Sequence, residues 1–138
     1  MQKKKIIIVD DNNIFLSRLT ADVKAELKKA NKQDDYEICA YGLNNIEGYK
    51  GQTNVAIAIV DFILNIPDVF GIDGSTVLRE INEANPDAVL VIVSAYNESM
   101  IRPKIEGLVN SRGEGVTIFG DSIEFYSEIR SRIATLLL

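Results

Sequence analysis

Histidine is absent from this chain of 138 residues, which also has only one cysteine and three prolines. The missing imidazole removes the commonest general base, the usual transition-metal ligand and any Ser-His or Cys-His nucleophilic pair. Chemistry here is left to carboxylates, hydroxyls and lysines, and no side chain of this protein can carry a phosphoryl group on a ring nitrogen. A single cysteine excludes an internal disulfide. Cys39 lies in the strand-like run Tyr36-Glu-Ile-Cys-Ala-Tyr41 and is expected to be a buried structural thiol. No apolar run approaches the length of about 20 residues that a bilayer requires, and no signal peptide is visible, so a cytoplasmic protein with no membrane partner is expected. A net charge of −5 without a basic stripe gives no support to direct nucleic-acid binding, and Lys3-Lys4-Lys5 reads as a solvated N-terminus.

Hydrophobic residues make up 46% and charged residues 25%, ordinary values for a globular protein, and the length suits one domain over residues 1–138. Residues 5 to 13 read Lys-Ile-Ile-Ile-Val-Asp-Asp-Asn-Asn. A near-continuous β-branched run is the mark of a strand buried on both faces, so Asp10 and Asp11 fall where that strand leaves the sheet. Val55-Ala-Ile-Ala-Ile-Val-Asp61 repeats the pattern. In an open parallel sheet ligands bind at this edge, and three carboxylates gathered there call for a hard divalent cation.

Between these runs the periodicity changes. Phe15, Leu19, Val23 and Leu27 recur at helical spacing and are expected to form a core stripe, with Asn12 or Asn13 as N-cap. Tyr36 to Tyr41 reads as a second strand, Gly42 to Gly51 as a turn or short, poorly defined helix, and Val55 to Val60 as a third strand. A long connection punctuated by Pro67, Gly71 and Gly74 follows, of the kind that is more often functional than idle. Ser75 to Asn85 is helical and halts before Pro86; Ala88 to Val93 is a fourth strand ending at Ser94. Asn97 to Val109 reads as a helix with Pro103 in its first turn or at a kink, Gly115 to Phe119 as a short fifth strand, and Ile123, Tyr126, Ile129, Ile133, Leu136 and Leu137 as the apolar stripe of a last helix. Five strands alternating with about five helices predict an α/β fold, a doubly wound (βα)5 flavodoxin-like domain with a five-stranded parallel sheet.

The set Asp10-Asp11 after the first strand, Asp61 at the end of the third, and Ser94-Ala95-Tyr96 at the end of the fourth resembles the receiver domain of two-component response regulators. The resemblance covers essentially the whole chain. It implies that Asp61 is a phosphoacceptor, that Mg²⁺ is held by Asp10, Asp11, Asp61 and the Ile63 carbonyl, and that Ser94 and the Ala95 N–H donate to the phosphoryl oxygens. It further implies a sensor histidine kinase or phosphotransfer protein as donor and a downstream protein target. A homodimer through the face of the fourth helix, fifth strand and fifth helix is also implied; there Phe125, Tyr126 and Leu136-Leu137-Leu138 offer apolar contacts. No output domain and no enzymatic activity beyond self-catalysed phosphotransfer are expected.

The chain departs from that family after the fifth strand, where receivers carry a lysine. Val116-Thr-Ile-Phe119 runs instead into Gly120-Asp121, and Thr117 stands where an aromatic switch residue is expected. Arg102 and Lys104 are the cations placed to substitute, although a solvated helix face is the simpler home for both. A degenerate receiver that binds partners independently of phosphorylation therefore stands as the alternative. A haloacid-dehalogenase-like Mg²⁺ phosphohydrolase requires an acid two residues beyond its aspartyl nucleophile, and Asn12, Asn13 and Ile63 occupy those places. Without the phosphoryl chemistry, Asp10-Asp11 is an acid pair at a helix start, Asp61 a loop acid and Ser94 a turn residue.

Overall fold

Five parallel strands form one sheet: Lys4–Val9 (β1), Tyr36–Tyr41 (β2), Val55–Asp61 (β3), Val89–Val93 (β4) and Thr117–Phe119 (β5), in the order β2-β1-β3-β4-β5. The computed structural model describes residues 2–62, 64, 73–94, 98–120 and 125–137, with the side chains of residues 125 and 126 excepted. From β1 the chain steps outward to β2, then returns past β1 to β3 and runs on to β5 in the other direction. The change of direction lies between β1 and β3, and the crevice it opens is at their C-terminal ends. That edge carries Asp10, Asp11 and Asp61.

The sheet divides the core in two. Ile7, Val9, Ala58, Val60, Leu90 and Ile92 face the helix Gly74–Ala84 (α2) through Val77, Leu78 and Ile81. Ile6, Ile8, Ile57, Ile59 and Val91 face Asn13–Lys29 (α1) and the last helix, Phe125–Leu136 (α4), through Leu19, Val23, Leu27, Ile129 and Ile133. The doubly wound α/β architecture expected from the periodicity is therefore present, because strands buried on both faces need a helical layer on each.

The connection from β2 to β3 contains a 3₁₀ turn, Ile46–Tyr49, within the turn or short helix expected there, with Gly48 packed so close to the Tyr41 ring that a Cβ there would lie 2.5 Å from Cε1. Three local expectations are corrected. Residues 97–109 do not form one helix among the described residues. Glu98–Ile101 (α3) is one turn long and gives way to a 3₁₀ turn at Arg102–Lys104, since Pro103 has no N–H for the next helical bond and Gly107 turns the chain at φ +77°. The helical stripe on α1 starts a turn late: Leu19, Val23 and Leu27 are buried and Leu16 packs against them, but Phe15 is 49% exposed. Cys39 is only partly buried, as β2 is an edge strand with one covered neighbour. Just past the end of α4, Leu137 packs into the core, and Leu136 packs against it.

Asn85 joins the base of β3 to α2. Its Oδ1 accepts from the Val55 N–H at 3.0 Å, and its Nδ2 donates to the Gln52 and Ile81 carbonyls at 2.9 and 3.1 Å. Asn85→Ala leaves the buried Val55 N–H without its acceptor and removes a donor from the half-buried Gln52 carbonyl, while the Ile81 carbonyl keeps the residue-85 N–H at 2.8 Å, so a loss of about 1–3 kcal/mol is expected in urea unfolding, with an unchanged m-value. A loss below about 0.5 kcal/mol would mean that water replaces the amide freely.

Candidate functional site

β1 and β3 are hydrogen-bonded neighbours, and their acids emerge side by side. Val9 pairs with Val60, so Asp10 leaves β1 level with Asp61. One carboxylate oxygen from each of Asp10, Asp11 and Asp61 lies within 4.8 Å of the others. Asp10 is 2% exposed and still belongs to the ladder, its N–H donating to the Tyr41 carbonyl at 3.1 Å. Asp11 and Asp61 are half-buried.

Asn12 organises the β1–α1 corner twice over. Its side-chain Oδ1 caps α1 by accepting from the N–H groups of Ile14 and Phe15 at 3.0 and 3.2 Å, and its own N–H donates to Asp10 Oδ1 at 2.9 Å. The helix start and the orientation of the deepest carboxylate are thus set by one residue.

Burial is the main reason that Asp61 is pushed up to about 8, with the charges of Asp10 and Asp11 acting in the same direction and the Phe62 N–H opposing them. Burial likewise pushes Asp10 up to about 6, against the pull of the Asn12 N–H. Three acids held together in a partly dry crevice resist ionising together, and a bound divalent cation relieves both causes at once.

Ser94 is 4% exposed at the end of β4, its N–H donating to the Phe119 carbonyl at 3.0 Å. Val93 pairs with Asp61 on one side and with Phe119 on the other, so Asp61, Ser94 and Gly120 leave the sheet at the same edge. A Cβ added at Gly120 would meet nothing within 4 Å among the described residues. The Ile63 carbonyl, the Ala95 N–H, Pro67, Tyr96, Asp121, Leu138 and the side chains of Phe125 and Tyr126 lie outside the described residues. Arg102 is paired with Glu98 at 2.5 Å on an exposed turn, and Lys104 is exposed with its carbonyl taken by Arg79 at 2.9 Å.

One contributor to the site carries no functional group. Gly74, the first residue of α2, donates its N–H to the Phe62 carbonyl at 2.7 Å, and a Cβ there would lie 2.4 Å from the Asp61 carbonyl oxygen. Its sequence signal was the Asp73-Gly74 pair ahead of an amphipathic helix, which marks a helix start but says nothing of what the glycine touches.

No protein-family model and no curated protein sequence matches the chain. Solved structures do. A response regulator receiver protein from Sinorhizobium medicae superposes with a TM-score of 0.65 at 19% identity, over 99% of this chain and 95% of the other. The BeF3-activated receiver domain of DrrB, a Thermotoga maritima protein, gives 0.62 at 16% identity over 99% and 98%. A chain described as an adenylate cyclase from Rhodopirellula baltica gives 0.61 at 13% identity over 99% and 90%, so one fold appears under different functional names. At these identities the likeness is one of architecture, and this chain has the flavodoxin-like α/β fold of response regulator receiver domains.

Proposed function

We propose that the protein is a receiver in a phosphorelay, taking a phosphoryl group on Asp61 from a phosphohistidine of a sensor kinase or phosphotransfer protein and signalling in the cytoplasm by contact with a downstream protein. The observation that carries this reading is the meeting of Asp10, Asp11 and Asp61 at the switch point of a receiver fold, with Ser94 beside them. An Asp61 carboxylate oxygen bonds to phosphorus while the P–N bond to the donor breaks, and the donor ring, protonated on its other nitrogen, leaves as neutral imidazole. Asp11 and Asp61 would hold Mg²⁺ directly and Asp10 mainly through water, with the Ile63 carbonyl completing the protein set; the ion's charge offsets that of the acids and of the transferring group. Ser94 Oγ and the Ala95 N–H donate to the phosphoryl oxygens. The domain is a signalling module rather than an enzyme acting on a separate substrate.

The proposed partner face is that of α3, β5 and α4, where Met100 is 55% exposed, and a second copy of the chain is one proposed occupant. A phosphorylation-independent interaction module is the second reading. It is favoured by Gly120 at the edge where Ser94 leaves the sheet and by an Asp61 carboxyl that burial and the charges of Asp10 and Asp11 push up to about 8.

Intact-protein mass after incubation with Mg²⁺ and acetyl phosphate separates the two. A phosphate adduct is expected on the unaltered protein and none on Asp61→Asn. Equal labelling of both proteins would move the acceptor elsewhere; no labelling of either, with Mg²⁺ bound and a phosphohistidine donor also failing, selects the interaction module.

A further inference from the structure

We infer that Gly74 is a positioning residue that sets the seat of Asp61 and with it the preference of the carboxylate site for Mg²⁺ over Ca²⁺. The inference rests on the reading of the three acids as a divalent-cation site. Gly74 has an ordinary backbone conformation, so glycine is needed there for closeness rather than for a left-handed turn. A Cβ at this position would lie 2.4 Å from the Asp61 carbonyl oxygen, 2.8 Å from Phe62 Cα and 3.0 Å from the Asp61 carbonyl carbon. All three are backbone atoms and cannot rotate aside.

The helix cannot retreat either. Val77, Leu78 and Ile81 anchor α2 in the core, and its N-terminus is fixed by Asp73, whose Oδ1 accepts from Ser75 Oγ at 2.5 Å and from the Thr76 N–H at 3.0 Å. The Gly74 N–H bond to the Phe62 carbonyl at 2.7 Å closes the contact. A methyl group at residue 74 must therefore be accommodated by the end of β3, and the Asp61 carboxylate moves relative to Asp10 and Asp11, which are held from β1.

The two cations respond differently to such a shift. Mg²⁺ demands near-ideal octahedral geometry at about 2.0–2.1 Å, whereas Ca²⁺ accepts six to eight ligands at about 2.3–2.6 Å in flexible arrangements. A displacement of a few tenths of an ångström is costly to the first and small to the second.

Isothermal titration of Mg²⁺ and Ca²⁺ into the unaltered protein, Gly74→Ala and Gly51→Ala tests this. Gly51 has φ +75°, so its alanine variant loses stability far from the acids and controls for a general effect on the fold. Mg²⁺ affinity is expected to fall about tenfold or more in Gly74→Ala and Ca²⁺ affinity less than threefold, with both unchanged in Gly51→Ala. Equal losses for the two cations, or no loss, overturn the role of Gly74 while leaving the cation site intact. Absence of binding in the unaltered protein overturns the site itself and this inference with it. If Gly74→Ala does not fold, amide exchange in the unaltered protein decides. Mg²⁺ should slow the Gly74 amide about tenfold relative to that of Gly107 and Ca²⁺ less than threefold; an unchanged ratio, or equal slowing by the two cations, overturns the inference.

Discussion

Without divalent cations at pH 8, Asp61→Asn is expected to resist urea better than the unaltered protein by about 2–4 kcal/mol, and the advantage should shrink toward pH 5. Asp61 is raised to about 8 and Asp10 to about 6, so between the ordinary carboxylate range and pH 8 the native state holds protons that the unfolded chain has released. The unfolded state binds fewer protons in this window, and stability therefore falls as pH rises through it. An amide at residue 61 removes one of three adjacent negative charges and escapes that loss. Saturating Mg²⁺ should close the gap from the other side, since an ion at a hundred times its Kd adds about 2.7 kcal/mol to a state that alone binds it. Equal stability of the two proteins at pH 8 without Mg²⁺ would contradict the mutual repulsion of the acids.

Gly120→Lys is expected to raise the rate of adduct formation from acetyl phosphate by about 10- to 100-fold, the size expected of one pre-organised charge in such a site. Gly120 follows Phe119, whose carbonyl binds the Ser94 N–H, and its Cβ position is open among the described residues, so a lysine stem fits without displacing backbone. An ammonium at this edge draws the Asp61 carboxyl down and so increases its nucleophilic form at neutral pH, and it offsets charge on the transferring group. The same cation competes for the acids, so Mg²⁺ affinity should weaken several-fold in the variant. Stopped-flow mixing or timed mass spectra read the first effect and calorimetry the second. A variant that binds Mg²⁺ more weakly yet labels no faster would show that the slow step lies elsewhere, and would strengthen the interaction-module reading.

The strands and three of the helices were legible because their causes are local. The β-branched run of Ile6 to Val9 has no other stable home than a doubly covered strand, and Leu19, Val23 and Leu27 repeat at the helical period. Expectations failed where a neighbour in space decides. Phe15 continues the α1 stripe in sequence but is exposed, with Leu16 packed against the core instead, and periodicity carries no information about where along a helix the contact with the sheet begins. The 3₁₀ turn at Arg102–Lys104 replaces part of a longer helix because Pro103 and Gly107 interrupt the chain and Arg79 claims the Lys104 and Glu106 carbonyls, which outweighs a weak helical pattern.

The candidate site divides along the same line. That Asp10, Asp11, Asp61 and Ser94 each end a strand followed from the chain itself, since an apolar run that stops at a polar residue marks the sheet edge wherever the strand is placed. Strand order was not contained in any single run. The β2-β1-β3-β4-β5 arrangement makes β1 and β3 neighbours and brings three carboxylates within 4.8 Å, and burial and charge there raise Asp61 to about 8. The close approach of Gly74 to the Asp61 backbone is a contact of the same kind. It joins two residues 13 positions apart through packing of α2 on the sheet, and side-chain patterning cannot report a contact made by the absence of a side chain.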